Sequence, residues 1–181
     1  MRARAAFSSS IGALVLLAAS HSRAAEPHAD GVVVGEYGGG ESMREPGADP
    51  AVAAARAKLA VGDPGGAAID LTRVIDSAPD NAAAMALRAE AFNRMGRPEA
   101  ALVDAKAALE RDPRRVDALE NLALALLLTG RFKEALDIGG IAIDLDPGRA
   151  AAHAVRAYAQ EKLGDREGAL WDMETAAALE P

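Results

Sequence analysis

Side chains capable of acid, base or metal chemistry are few in this sequence and stand far apart. The chain contains no cysteine, which excludes disulfide bonds, thiolate metal sites and a cysteine nucleophile. Of its three histidines, His21 and His28 precede the regularly patterned region, so His153 stands there alone. Without a partner visible in the sequence, His153 is predicted to be a packing residue on a helix, facing the neighbouring helix.

Two further patterns resemble chemical sites without meeting their requirements. The glycine-rich stretch from Gly35 to Gly40 lacks the lysine and the serine or threonine of a phosphate-binding loop. The carboxylates Asp104 and Glu110 have the spacing of a solvent-facing helix surface, and we expect water to surround them. The sequence therefore predicts a protein that is not an enzyme, with no catalytic residue, no cofactor and no metal site.

The composition predicts an all-α protein. The chain has 181 residues, enough for one domain with a core of ordinary size. Half of the residues are apolar, but alanine dominates this half and only 3% of the chain is aromatic, which is typical of helices packed closely through small side chains. The formal net charge of −7 disfavours nucleic acids and anionic membrane surfaces as partners.

Residues 1–25 have the features of a signal peptide. Arg2 and Arg4 form a basic start, an apolar run covers residues 11–19, and residues 22–24 fit a cleavage site flanked by small side chains. The apolar run is much shorter than the roughly 20 residues that a membrane-spanning helix needs. We therefore expect export to the periplasm or the extracellular space after cleavage, with an uncleaved membrane tether as the alternative.

Residues 26–47 are predicted to be a flexible linker. This stretch is rich in glycine, and such a composition cannot bury enough apolar surface to order itself. Residues 32–34, all valine, and Tyr37 form its one apolar island. The island is either a short strand or docking segment, or simply part of a mobile tail.

A period of 34 residues organises the rest of the chain. Four kinds of position recur at this interval without a slip, and each has a structural reason if the unit is two helices joined by a turn. Small residues let the two helices approach, glycine ends the first helix, and proline stops the second. The four columns are Ala55, Ala89, Ala123 and Ala157; Gly62, Gly96, Gly130 and Gly164; Ala67, Ala101, Ala135 and Ala169; and Pro79, Pro113, Pro147 and Pro181.

The same signals predict where eight helices begin and end. Pro64 opens a second helix, where its missing N–H is harmless, and Asp63 and Asp165 can cap exposed amides. Gly139 and Gly140 fall inside one helix and mark either a hinge or a place of tight packing. The predicted first helices are 49–61, 83–95, 117–129 and 151–163, and the predicted second helices are 64–77, 98–111, 132–145 and 166–179.

This pattern of small residues, glycine, alanine and proline resembles the tetratricopeptide repeat, a family of stacked helical hairpins. The resemblance implies a right-handed α-solenoid of four repeats, at residues 48–81, 82–115, 116–149 and 150–181. The chain departs from the family where an aromatic residue is common late in the second helix. Leu71, Ala105, Gly139 and Met173 stand at that place.

The resemblance also implies a function, the binding of another polypeptide in the concave groove that the first helices line. Leu124 and Leu127, with Tyr158 nearby, would form an apolar patch there, unless the solenoid itself buries these leucines. A carboxylate ligand is not expected, because Glu90 and Glu120 would repel it. The residues predicted to contact the partner are Arg56, Glu90, Asn93, Asn121, Leu124, Leu127, Tyr158 and Glu161.

Self-association is the alternative hypothesis. No polar capping helix follows the fourth repeat in this sequence, so the face that carries Leu170, Met173 and Ala177 is expected to lack a neighbouring helix. Either a second copy or a partner covers this face, or its small alanines tolerate water. A scaffold that binds a protein partner in its groove remains the leading hypothesis.

Overall fold

The computed structural model describes residues 49–179, which form a stack of helical hairpins. The two helices of each hairpin pack together, and each hairpin packs on the next. The described residues contain no strand, and the architecture is an all-α helical-repeat solenoid. The helices are α1 (Pro50–Ala60), α2 (Pro64–Ser77), α3 (Ala82–Arg94), α4 (Pro98–Arg111), α5 (Val116–Leu128), α6 (Phe132–Leu145), α7 (Ala150–Leu163) and α8 (Arg166–Leu179).

The predicted all-α solenoid is confirmed. The second helix of each hairpin has the predicted bounds, and the first helices differ from their predicted bounds by no more than one residue at either end. This agreement follows from the stop signals, which act within a single turn of helix. The predicted signal peptide (1–25) and linker (26–47) lie outside the described residues.

Left-handed glycines and aspartate caps form the turns within the hairpins. Glycine follows each first helix because the chain there takes a positive φ, which costs glycine nothing. As predicted, Asp63 caps α2 by accepting a hydrogen bond from the Gly66 N–H at 2.8 Å, and Asp165 accepts one from the Gly168 N–H at 3.0 Å. The φ angles of Gly62, Gly96, Gly130 and Gly164 are 81°, 69°, 78° and 93°.

Alanine makes up much of the core. Its small side chain lets helix backbones approach closely, and its high helix propensity suits every position along the stack. Both alanine columns of the 34-residue period are buried, as their spacing predicted. Leu71 on α2 is one of the largest fully buried side chains. It packs in an apolar cluster that residues of α1, α2 and α3 form together.

A buried ion pair ties the two helices of the second hairpin together. Arg88 on α3 donates two hydrogen bonds to the Asp104 carboxylate on α4, at 2.6 and 2.8 Å, and this pairing raises the pKa of Arg88. The prediction that water surrounds Asp104 was wrong, because this carboxylate lies between α3 and α4. Glu110, its predicted companion, is exposed.

The fourth hairpin holds a similar pair with a histidine added. Arg156 on α7 donates to the Asp172 carboxylate on α8 at 2.6 and 2.7 Å. His153 Nδ1 lies 2.9 Å from the same carboxylate, and His153 Nε2 lies 3.1 Å from the backbone oxygen of Pro147. His153 is therefore a buried packing residue, as predicted, but its carboxylate partner was missed.

The sequence did contain a signal for these pairs. Asp104 and Asp172 occupy the same place in the 34-residue period, and so do Arg88 and Arg156. In the third hairpin the two places hold Leu122 and Ile138. These side chains pack in the largest group of buried apolar residues, which includes Leu124, Leu126 and Leu127 and which we call the main apolar cluster. The same structural position thus holds an arginine–aspartate pair in the second and fourth hairpins and an apolar contact in the third.

Helix α6 runs without interruption through Gly139 and Gly140, where either a hinge or tight packing was predicted. A Cβ atom added at Gly139 would lie 3.4 Å from the Arg156 Cβ, which shows that α7 packs closely against this point. A Cβ atom added at Gly140 would meet nothing within 4 Å. Tight packing therefore accounts for Gly139, while nothing in the structure requires glycine at position 140.

Gly140→Ala is expected to raise the free energy of unfolding by about 0.5–1 kcal/mol, because alanine loses less backbone freedom in a helix and finds open space here. Urea unfolding followed by circular dichroism would measure the change. Gly139→Ala is the matched control, and it should gain less because its methyl group would be in direct contact with Arg156 instead of in open space. Equal gains at the two positions would contradict the assignment of tight packing to Gly139.

Candidate protein-interaction surface

The first helices α1, α3, α5 and α7 contact each other in order and form one layer, which we call the inner wall. All eight residues predicted to bind a partner lie on these helices, but the packing of the wall gives them different exposures. Arg56 is exposed; Glu90, Tyr158 and Glu161 are half-buried; Asn93, Asn121, Leu124 and Leu127 are buried.

Asn93 and Asn121 join α3 to α5 inside the wall. Asn93 Nδ2 donates a hydrogen bond to the Asn121 backbone oxygen at 2.9 Å. Asn121 Nδ2 donates to the Asp117 backbone oxygen at 2.8 Å and to the Ala86 backbone oxygen at 3.4 Å. The two amides therefore fix the position of the third hairpin on the second.

The leucines of α5 do not form the apolar patch that one hypothesis placed there. Leu124 and Leu127 are 6% and 5% exposed and belong to the main apolar cluster, against which Tyr158 also packs. The alternative, burial by the solenoid itself, is what the structure shows. Leu128, another groove position on α5, is 46% exposed at the end of this helix.

A charged pair on α3 connects the first two hairpins. Arg94 Nη2 donates to Glu90 Oε1 at 2.6 Å, and Arg94 Nη1 donates to the Leu59 backbone oxygen on α1 at 2.8 Å. Burial raises the pKa of Glu90, even though Arg94 and Arg56 act in the opposite direction. A perturbed carboxylate on a wall of this kind occurs both in binding sites and in structural ion pairs.

The raised pKa of Glu90 gives a testable pH dependence. In the folded chain this carboxyl binds its proton more tightly than in the unfolded chain, so its contribution to stability falls as pH rises above the ordinary value of 4.5. Glu90→Gln removes this group, and the variant should therefore gain stability relative to the parent protein between about pH 4 and pH 7. Urea unfolding at several pH values would measure the difference, and a difference independent of pH would contradict it.

Glu120 is neutralised by an arginine from the next hairpin. Arg149, immediately before α7, donates two hydrogen bonds to this carboxylate at 2.9 and 2.6 Å, and the pairing raises the pKa of Arg149. Glu90 is likewise paired with Arg94. The repulsion that these two acids were expected to exert on a carboxylate ligand is therefore weakened by their own partners.

Two basic, one aliphatic and one aromatic side chain reach solvent, wholly or in part, along the inner wall. Arg56 projects from α1, Leu128 from α5, and Lys162 from α7, where its Nζ lies 4.8 Å from the centre of the Tyr158 ring. A lysine held over a tyrosine ring combines an apolar surface with a positive charge. We call Arg56, Leu128, Tyr158 and Lys162 the inner strip.

The face predicted to lack a neighbour is open to solvent. Leu170 on α8 is 48% exposed, Ala177 is exposed, and Met173 is half-buried. The places equivalent to Leu170 in the earlier hairpins hold Ala68, Leu102 and Leu136, which are buried or half-buried. The greater exposure of Leu170 reflects the absence of a further helix against α8 in residues 49–179.

Neither a metal centre nor a membrane span is found among the described residues. No group of three or more histidine or acidic side chains there could hold a metal ion. None of the helices in this part of the chain is both long and apolar enough to cross a bilayer.

Comparison with known proteins agrees with the architecture. A model of the tetratricopeptide repeat matches residues 52–105 and 94–150, and no curated protein matches the sequence. Solved structures of MamA MSR-1 (28% identity, TM-score 0.57) and MamA AMB-1 (26% identity, TM-score 0.57) are similar over 72% of this chain and over 75% and 76% of their own chains, respectively.

A thermophilic repeat protein from Thermus thermophilus, TTC0263, has the same fold, with 23% identity, a TM-score of 0.66 and coverage of 72% of this chain and 73% of its own. The family model matches more than half of the chain, although its matches stop at residue 150, so the fourth hairpin remains a predicted repeat. The chain therefore belongs to the tetratricopeptide repeat family of protein-interaction scaffolds.

Proposed function

We propose that this protein is a non-catalytic adaptor that binds a segment of a partner polypeptide along its inner wall. The observation that carries the proposal is the inner strip, which presents Leu128 and the Tyr158–Lys162 pair to solvent on the adjacent helices α5 and α7. Family membership supports the same function, because stacked helical hairpins expose extended surfaces that suit polypeptide partners.

The chemistry of the inner strip favours a particular kind of partner segment. Leu128 and Tyr158 offer an apolar contact, and Arg56 and Lys162 add positive charge at its two ends. Because Glu90 and Glu120 are paired within the wall, Arg56 and Lys162 are the charged members of the strip, and the half-buried Glu161 lies beside Lys162. We therefore favour an amphipathic helix or extended peptide with one or two apolar anchors flanked by acidic residues.

Two triple variants would test this binding mode. Arg56→Glu/Leu128→Glu/Lys162→Glu reverses the charge of the inner strip and removes its apolar anchor, while changing side chains that reach solvent. Ile69→Glu/Arg73→Glu/Arg114→Glu makes the same chemical changes at exposed positions away from the inner wall. Each chain would serve as bait for proteins from its native cell, captured by cross-linking and identified by mass spectrometry.

The adaptor hypothesis expects specific partners to be captured by the parent chain and by the outer variant and to be lost with the inner-strip variant. Circular dichroism would first establish that both variants are folded. Recovery of the same proteins with all three baits would show that the inner strip is not the binding surface.

We also propose that the adaptor works after export. The proposal rests on the basic start, apolar run and small-residue cleavage site of residues 1–25. N-terminal sequencing of the protein from the exported fraction should find a chain that begins close to Glu26. A full-length chain in the membrane fraction would support the uncleaved tether instead, and a full-length chain in the cytoplasm would contradict export.

Assembly of the protein with itself is the second candidate function. Leu170, beside Met173 and Ala177, supports it because its side chain is 48% exposed, whereas the equivalent side chains of the earlier hairpins are buried or half-buried. A stack continued through this face would be open-ended unless its rotation closes a ring. Leu170→Glu/Ala177→Glu should then reduce the native mass to that of a monomer, and an unchanged mass would exclude this face.

A further inference from the structure

The outer side of the third hairpin contains a pocket with an apolar floor. In the second hairpin, Arg88 bridges two neighbouring helices by donating both to Asp104 on α4 and to Thr72 Oγ1 on α2, the latter at 3.1 Å. Leu122 and Ile138 stand at the places of Arg88 and Asp104 in the third hairpin, and they have no polar groups with which to bridge the helices. A space of about 210 Å³ opens there.

The lining of this pocket combines leucine and isoleucine with charged residues. Its apolar part consists of Leu122 and Leu126 from α5 and Ile138 from α6. Arg131 at its edge is neutralised by Glu134, to which it donates at 2.7 and 2.5 Å. The remaining charges at the edge are Lys106 and Asp137.

The size of the pocket restricts what can fill it. An apolar cavity of about 150 Å³ is enough for a benzene ring, whereas pockets for cofactor-sized ligands usually exceed about 300 Å³. A space of about 210 Å³ is therefore suited to one large side chain. An aromatic side chain would bury the most apolar surface there.

The chain itself exposes such a side chain. Trp171 is its single tryptophan, and it is 60% exposed on α8. Tryptophan concentrates at the energetic centres of protein interfaces, where its large ring enters a pocket on the partner. Glu167 and Glu174 lie one helical turn before and after it, and both are exposed.

We propose that the pocket of the third hairpin binds Trp171 from a second copy of this chain. Helix α8 packs along α7 and not along α5 and α6, which line the pocket, so we assign the pocket to the indole ring of another copy. Trp171 and the pocket residue Asp137 occupy the same place in the 34-residue period, and so the ring and the pocket lie on the same side of adjacent hairpins. Two copies can therefore exchange Trp171 reciprocally about a two-fold axis.

Charge supports a second copy as the occupant. In the paired arrangement the acids that flank the indole, Glu167 and Glu174, approach Lys106 at the edge of the pocket. Arg166, near the start of the same helix, is available to Asp137. This contact borders the face of Leu170, Met173 and Ala177, because Glu174 lies one helical turn from both Leu170 and Ala177. It does not depend on the inner strip.

Sedimentation and tryptophan fluorescence of the purified chain would test the proposal over the same range of protein concentrations. The mass should rise from monomer to dimer as concentration increases, and the emission of Trp171 should shift to the blue over the same range because the ring leaves water. Trp171→Ala should raise the concentration needed for half-dimerisation by about tenfold or more. Ile69→Ala, at the equivalent exposed place on α2, should leave the concentration for half-dimerisation unchanged.

Charge reversal distinguishes this contact from non-specific association of the chain. Lys106→Glu and Glu174→Lys should each weaken the dimer, and the two changes combined in one chain should restore it, whereas Arg73→Glu on α2 should have no effect. A chain that stays monomeric at every concentration would overturn the proposal, and so would a dimer that survives Trp171→Ala. Loss of the dimer only in Leu170→Glu/Ala177→Glu would likewise overturn it and would assign self-association to the end face.

Discussion

Replacement of Asp172 by alanine should lower the free energy of unfolding by about 3–5 kcal/mol, the cost of removing one partner from a buried ion pair. The Asp172 carboxylate is fully buried and accepts hydrogen bonds from Arg156 at 2.6 and 2.7 Å. It also lies 2.9 Å from the Nδ1 of the buried His153. Alanine would leave the guanidinium without its counter-charge and the imidazole without its partner on that side.

Asp70→Ala is the matched control for this prediction, because Asp70 occupies the same place in the first hairpin. Its pair with Lys58 is partly open to solvent and is screened by water, so its loss should cost much less than the loss of Asp172. Urea unfolding of the two variants would measure both costs. If the uncompensated charge is the cause, adding Arg156→Leu to Asp172→Ala should recover part of the loss; a further loss would contradict this explanation.

Leu71→Ala should lower the free energy of unfolding by about 2–5 kcal/mol. Leu71 is fully buried between α1, α2 and α3, and its truncation would leave a cavity that the surrounding alanines are too short to fill. The effect should be at the upper part of this range, because alanine-rich helices are already close together and have little room to collapse further.

The leucine at the end of α7 provides the comparison for Leu71. Leu163→Ala makes the same chemical change at an exposed position, where an effect within about 0.5 kcal/mol is expected. Chemical denaturation of both variants would give the two values. Similar losses at Leu71 and Leu163 would mean that the apolar cluster of the first hairpin does not carry the stability that its burial indicates.

The fold was predictable because its signals are local and repeated. A glycine with positive φ ends each first helix, and the proline that follows the second helix excludes the preceding residue from the helical region. Each signal acts within a few residues, so a sequence is sufficient to read it. The repetition of the signals every 34 residues then showed that the same hairpin recurs.

The candidate site was only partly predictable. The helices that form the inner wall were identified, but the exposure of each side chain on them was not. Leu124 and Leu127 are covered by the stack, while Leu128, the next residue, is 46% exposed. One residue corresponds to about 100° of rotation around a helix, so a small difference in how helices pack decides which leucine meets solvent.

By itself, the sequence determined the helical repeat, the bounds of its helices and the alanine core, since these depend on neighbours within one or two turns. Only the tertiary structure decided which polar groups are buried and paired. Arg88 and Asp104 are 16 residues apart, Asn93 and Asn121 are 28 apart, and Glu120 and Arg149 are 29 apart. Their pairing depends on the angles and distances at which hairpins pack, and these arise from the summed contacts of many small side chains rather than from any local signal.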